Sequence, residues 1–262
     1  MSVSGKPSIA ERDPGLEERL KAAFKGCCFG GAIHAYAVCD STMERAHALA
    51  RQGAGEGTLV FAARQTQGRG RMGRKWESPE GGAYFSLILR PSRPPAEAPQ
   101  LSLVAGLSAA EAIHEQTNLS PSIRWPNDIL LDGKKVAGIL TEARDGAVVL
   151  GIGINVTTDP AALPDTATSL AASGISYDSH QLTTALCRKF DRWYDVWTAQ
   201  GFSPIREALR PWLSLGGLVR LTVNSSQVEG QALDVDEEGR LLVRLESGIT
   251  EAFEVGEVTL LR

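Results

Sequence analysis

The stretch between residues 123 and 156 constrains the fold more than any other part of the chain. Three apolar runs, IRWPNDILL, KKVAGILTEA and AVVLGIGINV, lie here, and Asp132-Gly133 and Asp145-Gly146 separate them. Asp-Gly between apolar runs is a strong hairpin signal, because both residues tolerate the positive φ angles that a two-residue turn requires. The sequence therefore predicts an antiparallel meander.

Helices and further strands are predicted on both sides of the meander. Ser41 and Glu44 have the spacing of a capping box, which predicts a helix that ends near Gln52. Apolar periodicity and short β-rich runs predict helices at residues 16–24, 100–116 and 181–200, and strands at residues 58–64 and 83–90. Residues 214–262 contain short β runs separated by turn-forming residues, as expected of a small barrel. The patterns together predict an α+β fold.

Two other patterns are interpreted as structural. The predicted helix at residues 181–200 has an apolar stripe, which is more typical of a buried helix face than of a ligand cage. The stripe consists of Leu182, Leu186, Phe190, Trp193 and Trp197. Gly106-Leu-Ser108 approaches the G-x-S-x-G pattern of hydrolases, but it lies inside a helical run rather than on a strand-to-helix turn. We therefore expect no nucleophile at Ser108.

Composition and charge exclude several classes of protein. The 262 residues are 43% hydrophobic and 22% charged, with a net charge of −4, which is too acidic for a protein that coats nucleic acid. No apolar run is long enough for a membrane span, and the charged first 14 residues do not have the apolar core of a signal peptide. The four cysteines form no C-x-x-C pair and the histidines form no H-E-x-x-H, so a cytoplasmic protein with reduced thiols and no catalytic zinc is expected.

The most informative segment is Gln65-Thr-Gln-Gly-Arg-Gly-Arg-Met-Gly-Arg-Lys-Trp76. Its glycines match G-x-G-x-x-G, but a dinucleotide fingerprint opens a helix, whereas this segment runs into Ser-Pro-Glu-Gly-Gly and another predicted strand. Glycines let the backbone approach a ligand, and guanidinium groups match carboxylate and phosphate oxygens. The segment predicts a cradle for a mononucleotide or an acyl-adenylate. A solvated basic loop and an Arg-Gly contact to nucleic acid are the alternatives.

A second group of polar residues borders the meander. Asn127 and Asp128 are either ligands of a phosphate or of Mg²⁺, or simply turn-forming residues. A protein-bound Mg²⁺ ion favours one or two carboxylates together with substrate phosphates. Lys135 precedes an apolar run and is either a ligand for an anion or a surface residue. Gly151-Ile-Gly-Ile-Asn155 predicts a strand whose glycines leave room for a ligand or a packed neighbour.

In this order, G-R-G-R-x-G-R-x-W, W-P-N-D, K-x-A-G-I-L and G-I-G-x-N resemble the signature motifs of biotin protein ligases, with Asp-Ser-Thr ahead of them. The resemblance spans about residues 33–262. It implies a class II synthetase-like catalytic domain, with a mixed or antiparallel sheet and flanking helices, and a small C-terminal SH3-like β-barrel. We therefore expect a lead-in at residues 1–30, a catalytic domain at residues 31–213 and a C-terminal domain at residues 214–262.

The resemblance also implies the reaction and its partners. The carboxylate of biotin would attack the α-phosphate of ATP, and a lysine of the biotin carboxyl carrier protein of a biotin-dependent carboxylase would then attack biotinyl-5′-AMP. ATP and Mg²⁺ would be the cofactors, with biotin as a substrate. Too few residues precede the catalytic part for a helix-turn-helix domain, so we expect a monofunctional ligase that binds neither DNA nor membrane, as a monomer or homodimer.

The site residues implied by the resemblance form overlapping groups. Lys135 and Arg71 would be catalytic, and Asp128 would hold Mg²⁺ together with phosphates. Biotin would be bound by Ser41, Thr42, Met43, Gln65, Arg69, Gly70, Arg71 and Lys135. ATP and the adenylate would be bound by Gly68, Arg69, Arg71, Arg74, Trp76, Asn127 and Asn155.

Two residues depart from the family pattern, and two rival functions are considered. Met43 stands where the family more often has Asn, and Met72 stands where some members have another basic residue. A lipoate–protein ligase has related chemistry, but the polar Ser41, Thr42 and Gln65 favour biotin over an apolar dithiolane. A nucleic-acid-binding module that uses the Arg-Gly loop would bind in a strongly salt-dependent way, and the acidic net charge disfavours it.

Overall fold

Two sheets and five α-helices make up the part of the chain that the computed structural model describes, residues 10–223, 226–254 and 256–261. The first sheet consists of β1 (Ala10–Arg12), β2 (Ile33–Cys39), β3 (Leu59–Gln65), β4 (Gly82–Leu89), β5 (Ser122–Arg124), β6 (Asp128–Leu131), β7 (Lys134–Arg144) and β8 (Ala147–Asn155). The second consists of β9 (Leu218–Val223), β10 (Ser226–Val235), β11 (Leu241–Leu245), β12 (Thr250–Phe253) and β13 (Glu257–Leu260). The helices are α1 (Pro14–Ala23), α2 (Thr42–Arg51), α3 (Gln100–Thr117), α4 (Ser179–Gln200) and α5 (Ser203–Leu209).

The first sheet is mixed and has the strand order β1-β2-β3-β4-β8-β7-β6-β5. Strands β2 and β3 are parallel, and the other neighbouring pairs are antiparallel. Strands β6, β7 and β8 form the predicted meander. Both of its turns have positive φ angles, 49° at Asp132 and 77° at Gly133, then 52° at Asp145 and 74° at Gly146. These angles are those of a two-residue hairpin turn of the I′ type, so the prediction from Asp-Gly is confirmed.

Helices cover both faces of the first sheet. In β4, Leu87 packs in the large core cluster with α3 and α4, whereas the next residue, Ile88, packs in the small cluster with Met43 of α2. Because successive side chains of a strand point to opposite faces, α2 lies on the face opposite α3 and α4. The predicted stripe of α4 is buried, Trp197 completely, and Ser108 is buried inside α3, where its hydroxyl donates to the carbonyl of Val104 at 2.8 Å. Within the described residues, no helix is long and apolar enough to cross a membrane.

The segment expected as a lead-in contributes to the first sheet and its core, apart from residues 1–9, which lie outside the described residues. Strand β1 pairs antiparallel with β2. Asp13 caps α1 by accepting from the backbone N–H of Leu16 at 2.8 Å, and Pro14 occupies the first turn, where no backbone N–H is needed. Leu16 and Leu20 are buried against the core.

The capping box predicted at the start of α2 is wrong, although the helix itself is confirmed. Ser41 is the N-cap residue, but its side chain makes no capping hydrogen bond. In a capping box, the Glu44 side chain would accept a hydrogen bond from the backbone N–H of Ser41. This N–H donates instead to Asp40 Oδ1 at 2.8 Å. Glu44 forms an ion pair with Arg69 of the loop that follows β3. Tertiary ion pairing therefore replaces the local cap.

The C-terminal sheet is antiparallel and has the order β12-β11-β10-β9-β13. It is the small β domain expected at this end of the chain, although in the described residues β12 and β13 do not pair to close a barrel. Its apolar residues, Val235 and Leu241 among them, belong to the same buried core as the first sheet and its helices, and polar bonds add to this contact. Trp125 Nε1 donates to the carbonyl of Gly239 at 2.9 Å, and Arg206 Nη2 donates to Asp234 at 2.9 Å.

Candidate functional site

A cavity of about 140 Å³ lies where elements from both sheets meet. Its walls are the N-terminus of α2, the loop between β3 and β4, the turn before β6, strands β7 and β8, and the start of β13. Small and apolar residues line its middle, and polar or charged groups lie at its ends. Such a concave site with a few convergent polar groups is typical of a small-molecule pocket.

Polar groups at the N-terminus of α2 form one end of the cavity. The backbone N–H of Thr42 donates to Gln65 Oε1 at 2.7 Å, and the Thr42 hydroxyl accepts from Ser86 Oγ at 2.9 Å. Gln65 Nε2 donates in turn to Ser78 Oγ at 2.8 Å. Ser41 Oγ is buried and has no hydrogen-bond partner among the described residues. Because a buried hydroxyl without a partner is costly, Ser41 is prepared to bond a ligand.

Glycines of β7 and β8 form the floor of the cavity. A Cβ atom on Gly153 would lie 2.5 Å from Trp76 Nε1, and one on Gly138 would lie 3.0 Å from both the Trp76 ring and Lys135 Cε. A Cβ atom on Gly151 would overlap the sulfur of Met43. The indole of Trp76 therefore packs directly against the backbone of Gly138 and Gly153, where any larger side chain would collide with it. Its Nε1 is another buried donor that lacks a partner in the described part of the chain.

Adding one methyl group to this floor is expected to weaken ligand binding. Gly153→Ala should displace Trp76 and weaken the binding of biotin, the ligand that the sequence motifs lead us to expect, about 5- to 150-fold, because overpacking costs about 1–3 kcal/mol. Calorimetric titration with biotin measures the change. Gly55→Ala is the control, since nothing lies within 4 Å of a Cβ there. Equal biotin affinity for the two variants would show that the glycine floor does not border the ligand.

Two charged side chains, Lys135 and Asp128, line the other end of the cavity. Lys135 Nζ lies 2.5 Å from Asp128 Oδ1, and Arg124 donates to Asp128 Oδ2 at 2.7 Å. The Lys135 ammonium also lies 5.1 Å from the centre of the Trp76 ring. The backbone of Lys135 is fixed by hydrogen bonds to the segment after β8, through the carbonyl of Thr166 at 2.9 Å. Lys135 is therefore held at the cavity, and it shares its carboxylate partner, Asp128, with Arg124.

The basic loop folds over the cavity and reaches the C-terminal sheet. Arg71 Nη1 donates to Asn127 Oδ1 at 3.0 Å and to the carbonyl of Gly256 at 3.2 Å, and burial lowers the pKa of Arg71. Arg74 forms an ion pair with Glu257, and this hydrogen bond raises the pKa of Arg74 and lowers the pKa of Glu257. The loop is not followed by a helix, which agrees with the rejection of a dinucleotide fingerprint.

The structure brings most of the predicted site residues together. Twelve of them line the cavity: Ser41, Thr42, Met43, Gln65, Arg69, Gly70, Arg71, Arg74, Trp76, Asn127, Asp128 and Lys135. Gly68, at the start of the loop, does not line the cavity and packs against the carbonyl of Trp76 and against Ser78. Asn155 is buried but does not line the cavity, and its Nδ2 donates to the carbonyl of Thr168 at 2.9 Å.

Sequence reasoning missed the residues that the C-terminal sheet contributes. Glu257 and Val258 line the cavity, and the carbonyl of Gly256 contacts Arg71. No motif marks these positions, and about 180 residues separate them from the loop that they contact. Only the charge of Glu257 opposite an Arg-rich loop could have suggested the pairing.

Known proteins resemble this chain over most of its length. A profile described as the biotin/lipoate A/B protein ligase family matches residues 35–159, and one described as the biotin protein ligase C terminal domain matches residues 215–261. The bifunctional ligase/repressor BirA of Bacillus subtilis is 39% identical over 249 residues, which cover 90% of this chain and 77% of the relative. The biotin–[acetyl-CoA-carboxylase] ligase of Paracoccus denitrificans is 34% identical over 80% of this chain and 92% of its own length.

A solved structure shares the fold. The biotin protein ligase from Aquifex aeolicus, in complex with biotin and ATP, superposes with a TM-score of 0.78 and is 33% identical. The match covers 88% of this chain and 99% of the other. The likeness therefore extends through both sheets.

Proposed function

Because this chain belongs to the biotin protein ligase family, we propose that it activates biotin with ATP and transfers it to a lysine of a biotin carboxyl carrier protein. One observation in the structure carries this function. A single cavity has unpaired polar groups at the N-terminus of α2, a glycine floor, and the ammonium of Lys135 at the far end. Biotin has the same succession of a polar ureido ring, an apolar middle and a carboxylate.

The ureido ring is proposed to lie at Ser41. The unpaired hydroxyl of Ser41 can donate to the ureido oxygen or accept from a ureido N–H. Gln65 has already bonded Thr42 and Ser78, yet its amide retains one donor and one acceptor position. Met43, which stands in place of the family's more frequent Asn, contributes its thioether beside Gly151 and no polar group.

Lys135 and Arg71 are proposed to stabilise the charges of the first step. An oxygen of the biotin carboxylate forms a bond to the α-phosphorus of ATP while the bond to the leaving pyrophosphate breaks. Lys135 would neutralise the carboxylate and then the phosphate, with Asp128 releasing it as the anion enters. Arg71, at the mouth beside Asn127, would face the phosphate. The carrier lysine then attacks the acyl carbon and AMP leaves, so the enzyme acts by positioning and charge stabilisation.

Mg²⁺ is proposed to arrive on the phosphates of ATP. Among the described residues, no cluster of three or more His, Cys, Asp or Glu side chains could hold a metal by itself. Asp128 is a carboxylate at the charged end of the cavity, and its oxygens face Lys135 and Arg124. One carboxylate fits a Mg²⁺ ion that phosphates and water coordinate otherwise. When bound, the ion would neutralise charge on the phosphates.

The two domains are proposed to be residues 31–213 and 214–262. The strands after residue 214 pair only with one another among the described residues, which supports a boundary there. The β13 residues that line the cavity make the C-terminal unit part of the site rather than an appendage.

A comparison of biotin with lipoate tests the substrate. With α-labelled ATP and Mg²⁺, biotin should give the acyl-adenylate about 100-fold faster than lipoate or more, because a dithiolane leaves the buried polar groups at Ser41 unpaired. Chromatography of the nucleotide products gives both rates. Equal or faster activation of lipoate would contradict the assignment to biotin. A preparation that binds duplex or single-stranded nucleic acid but forms no adenylate would favour the nucleic-acid-binding alternative.

A further inference from the structure

Glu142, near the end of β7, is the centre of a charged cluster outside the cavity lining. Its Oε1 accepts from Arg69 Nη2 at 2.7 Å, and its Oε2 accepts from His47 at 3.0 Å and lies 3.1 Å from Arg144. The Glu142 side chain is 17% exposed and the His47 side chain 2% exposed. The cluster is therefore partly desolvated, where charged hydrogen bonds are strong and a lost partner is costly.

The partners of Glu142 belong to the elements that form the biotin end of the cavity. Arg69 is in the first half of the basic loop, next to Gly70, and His47 is on α2, whose N-terminus carries Ser41. Burial lowers the pKa of His47, and its Nε2 donates to the carboxylate of Glu142. Glu142 thereby joins β7, α2 and the loop at one point.

The two halves of the loop are anchored differently. Arg71 and Arg74, in the second half, contact Gly256 and Glu257 of the C-terminal sheet. The side chain of Arg69, in the first half, contacts Glu142 of β7 and Glu44 of α2. Backbone hydrogen bonds also join the two halves, from Trp76 to Gly68 at 2.9 Å and from Gly70 to Arg74 at 2.8 Å. The other side-chain partner of Arg69, Glu44, is 47% exposed, and exposed ion pairs contribute little. Glu142 is the partner that can fix Arg69.

We propose that Glu142 is a positioning residue that fixes Arg69, and with it residues 68–70 of the loop, over the biotin end of the cavity. This inference rests on the proposed function. The contact between Glu142 and Arg69 would keep the loop in place beside the proposed biotin site. The contacts of Arg71 and Arg74 with the C-terminal sheet would close the loop over the nucleotide. Glu142 touches neither substrate and acts through Arg69.

The variant Glu142→Gln tests the proposal. Glutamine has one acceptor oxygen, so it cannot accept from Arg69 and His47 as the carboxylate does. We expect the Kd and KM for biotin to rise about tenfold, because a partly buried charged hydrogen bond is lost. The KM for ATP and kcat should stay within about twofold, since binding and not the reacting centre is changed. Glu142→Asp, which keeps the charge, should recover part of the loss.

A double-mutant cycle with Arg69→Gln separates positioning from general destabilisation. If Glu142 acts through Arg69, each single variant and the double variant should lose biotin affinity to the same extent. Asp234→Asn is the matched control, because Asp234 is 14% exposed, accepts from Arg206 at 2.9 Å and from Arg210 at 3.1 Å, and does not line the cavity. It should lower thermal stability without changing the Kd for biotin.

The outcomes distinguish this inference from the function on which it rests. A wild-type protein that binds no biotin would contradict the proposed function itself. A wild-type protein that binds biotin, with Glu142→Gln no weaker than Asp234→Asn, would overturn the positioning role. Losses that multiply in the double variant would overturn action through Arg69. If Glu142→Gln fails to fold, Arg69→Gln alone decides, because unchanged biotin affinity in that variant would also overturn the proposal.

Discussion

Replacing Lys135 with alanine is expected to slow biotinyl-adenylate formation by about 10²- to 10³-fold, the effect of losing one preorganised charge-stabilising donor. Lys135 lies at the charged end of the cavity with its ammonium 2.5 Å from Asp128. Without it, the carboxylate of biotin would meet the carboxylate of Asp128, which would then have Arg124 as its ion-pair partner and no ammonium between the two anions. Biotin binding should therefore weaken as well as turnover. Single-turnover formation of the adenylate from labelled ATP measures the loss.

The neighbouring residue provides the control for Lys135→Ala. Lys134 begins β7 and is exposed, and it does not line the cavity. Lys134→Ala should form the adenylate at the wild-type rate, and both variants should melt within a few degrees of the wild type, as surface-accessible substitutions do. If Lys135→Ala retained adenylation within about twofold of wild type, Lys135 would not be the charge-stabilising group.

Replacing Arg71 with glycine is expected to release biotinyl-adenylate about 10- to 100-fold faster, while biotin affinity changes little. The guanidinium of Arg71 donates to Asn127 and to the carbonyl of Gly256, whereas the ureido ring is proposed to lie at Ser41. Loss of the Arg71 side chain would remove charged hydrogen bonds to the phosphate. It would also remove the hydrogen bond that joins the loop to Gly256, next to the C-terminal sheet. The leaked adenylate should acylate lysines of unrelated proteins.

Two measurements decide the role of Arg71. The dissociation rate of preloaded adenylate and the Kd of biotin are compared for Arg71→Gly and for Gln67→Gly, a glycine substitution at an exposed position of the same loop that does not line the cavity. Faster release in Arg71→Gly alone supports contact with the phosphate. Equal acceleration in both variants would mean that loop flexibility is responsible, and equal loss of biotin and adenylate would mean that Arg71 shapes the whole pocket.

The sequence predicts those parts of the fold that depend on neighbouring residues. Asp145-Gly146 forms a tight hairpin turn because both residues accept positive φ angles, and the stripe of α4 is buried because its spacing follows the helical period. The capping box was wrong for the opposite reason. Glu44 has a distant partner, Arg69, and Asp40 satisfies the N–H that Glu44 would have accepted. The spacing of Ser41 and Glu44 along the chain does not show that other residues compete for the same hydrogen bonds.

The candidate site also combines residues that local motifs mark with residues that only the fold brings together. Lys135, Asn127 and Arg71 belong to local motifs, and the structure brings them to one cavity. Glu257 and Glu142 belong to no motif that we identified, because their importance depends on which arginine of the loop each one meets in the fold.

Transfer of biotin to a carrier is the measurement that tests the function most directly. The purified chain is incubated with biotin, ATP, Mg²⁺ and an isolated biotin carboxyl carrier domain, and the intact mass of the carrier is followed. We predict the addition of one biotin at a single lysine, dependent on ATP and slowed about 10²- to 10³-fold by Lys135→Ala. A carrier that stays unmodified, together with no biotinyl-adenylate in the reaction, would contradict the assignment of this chain as a biotin protein ligase.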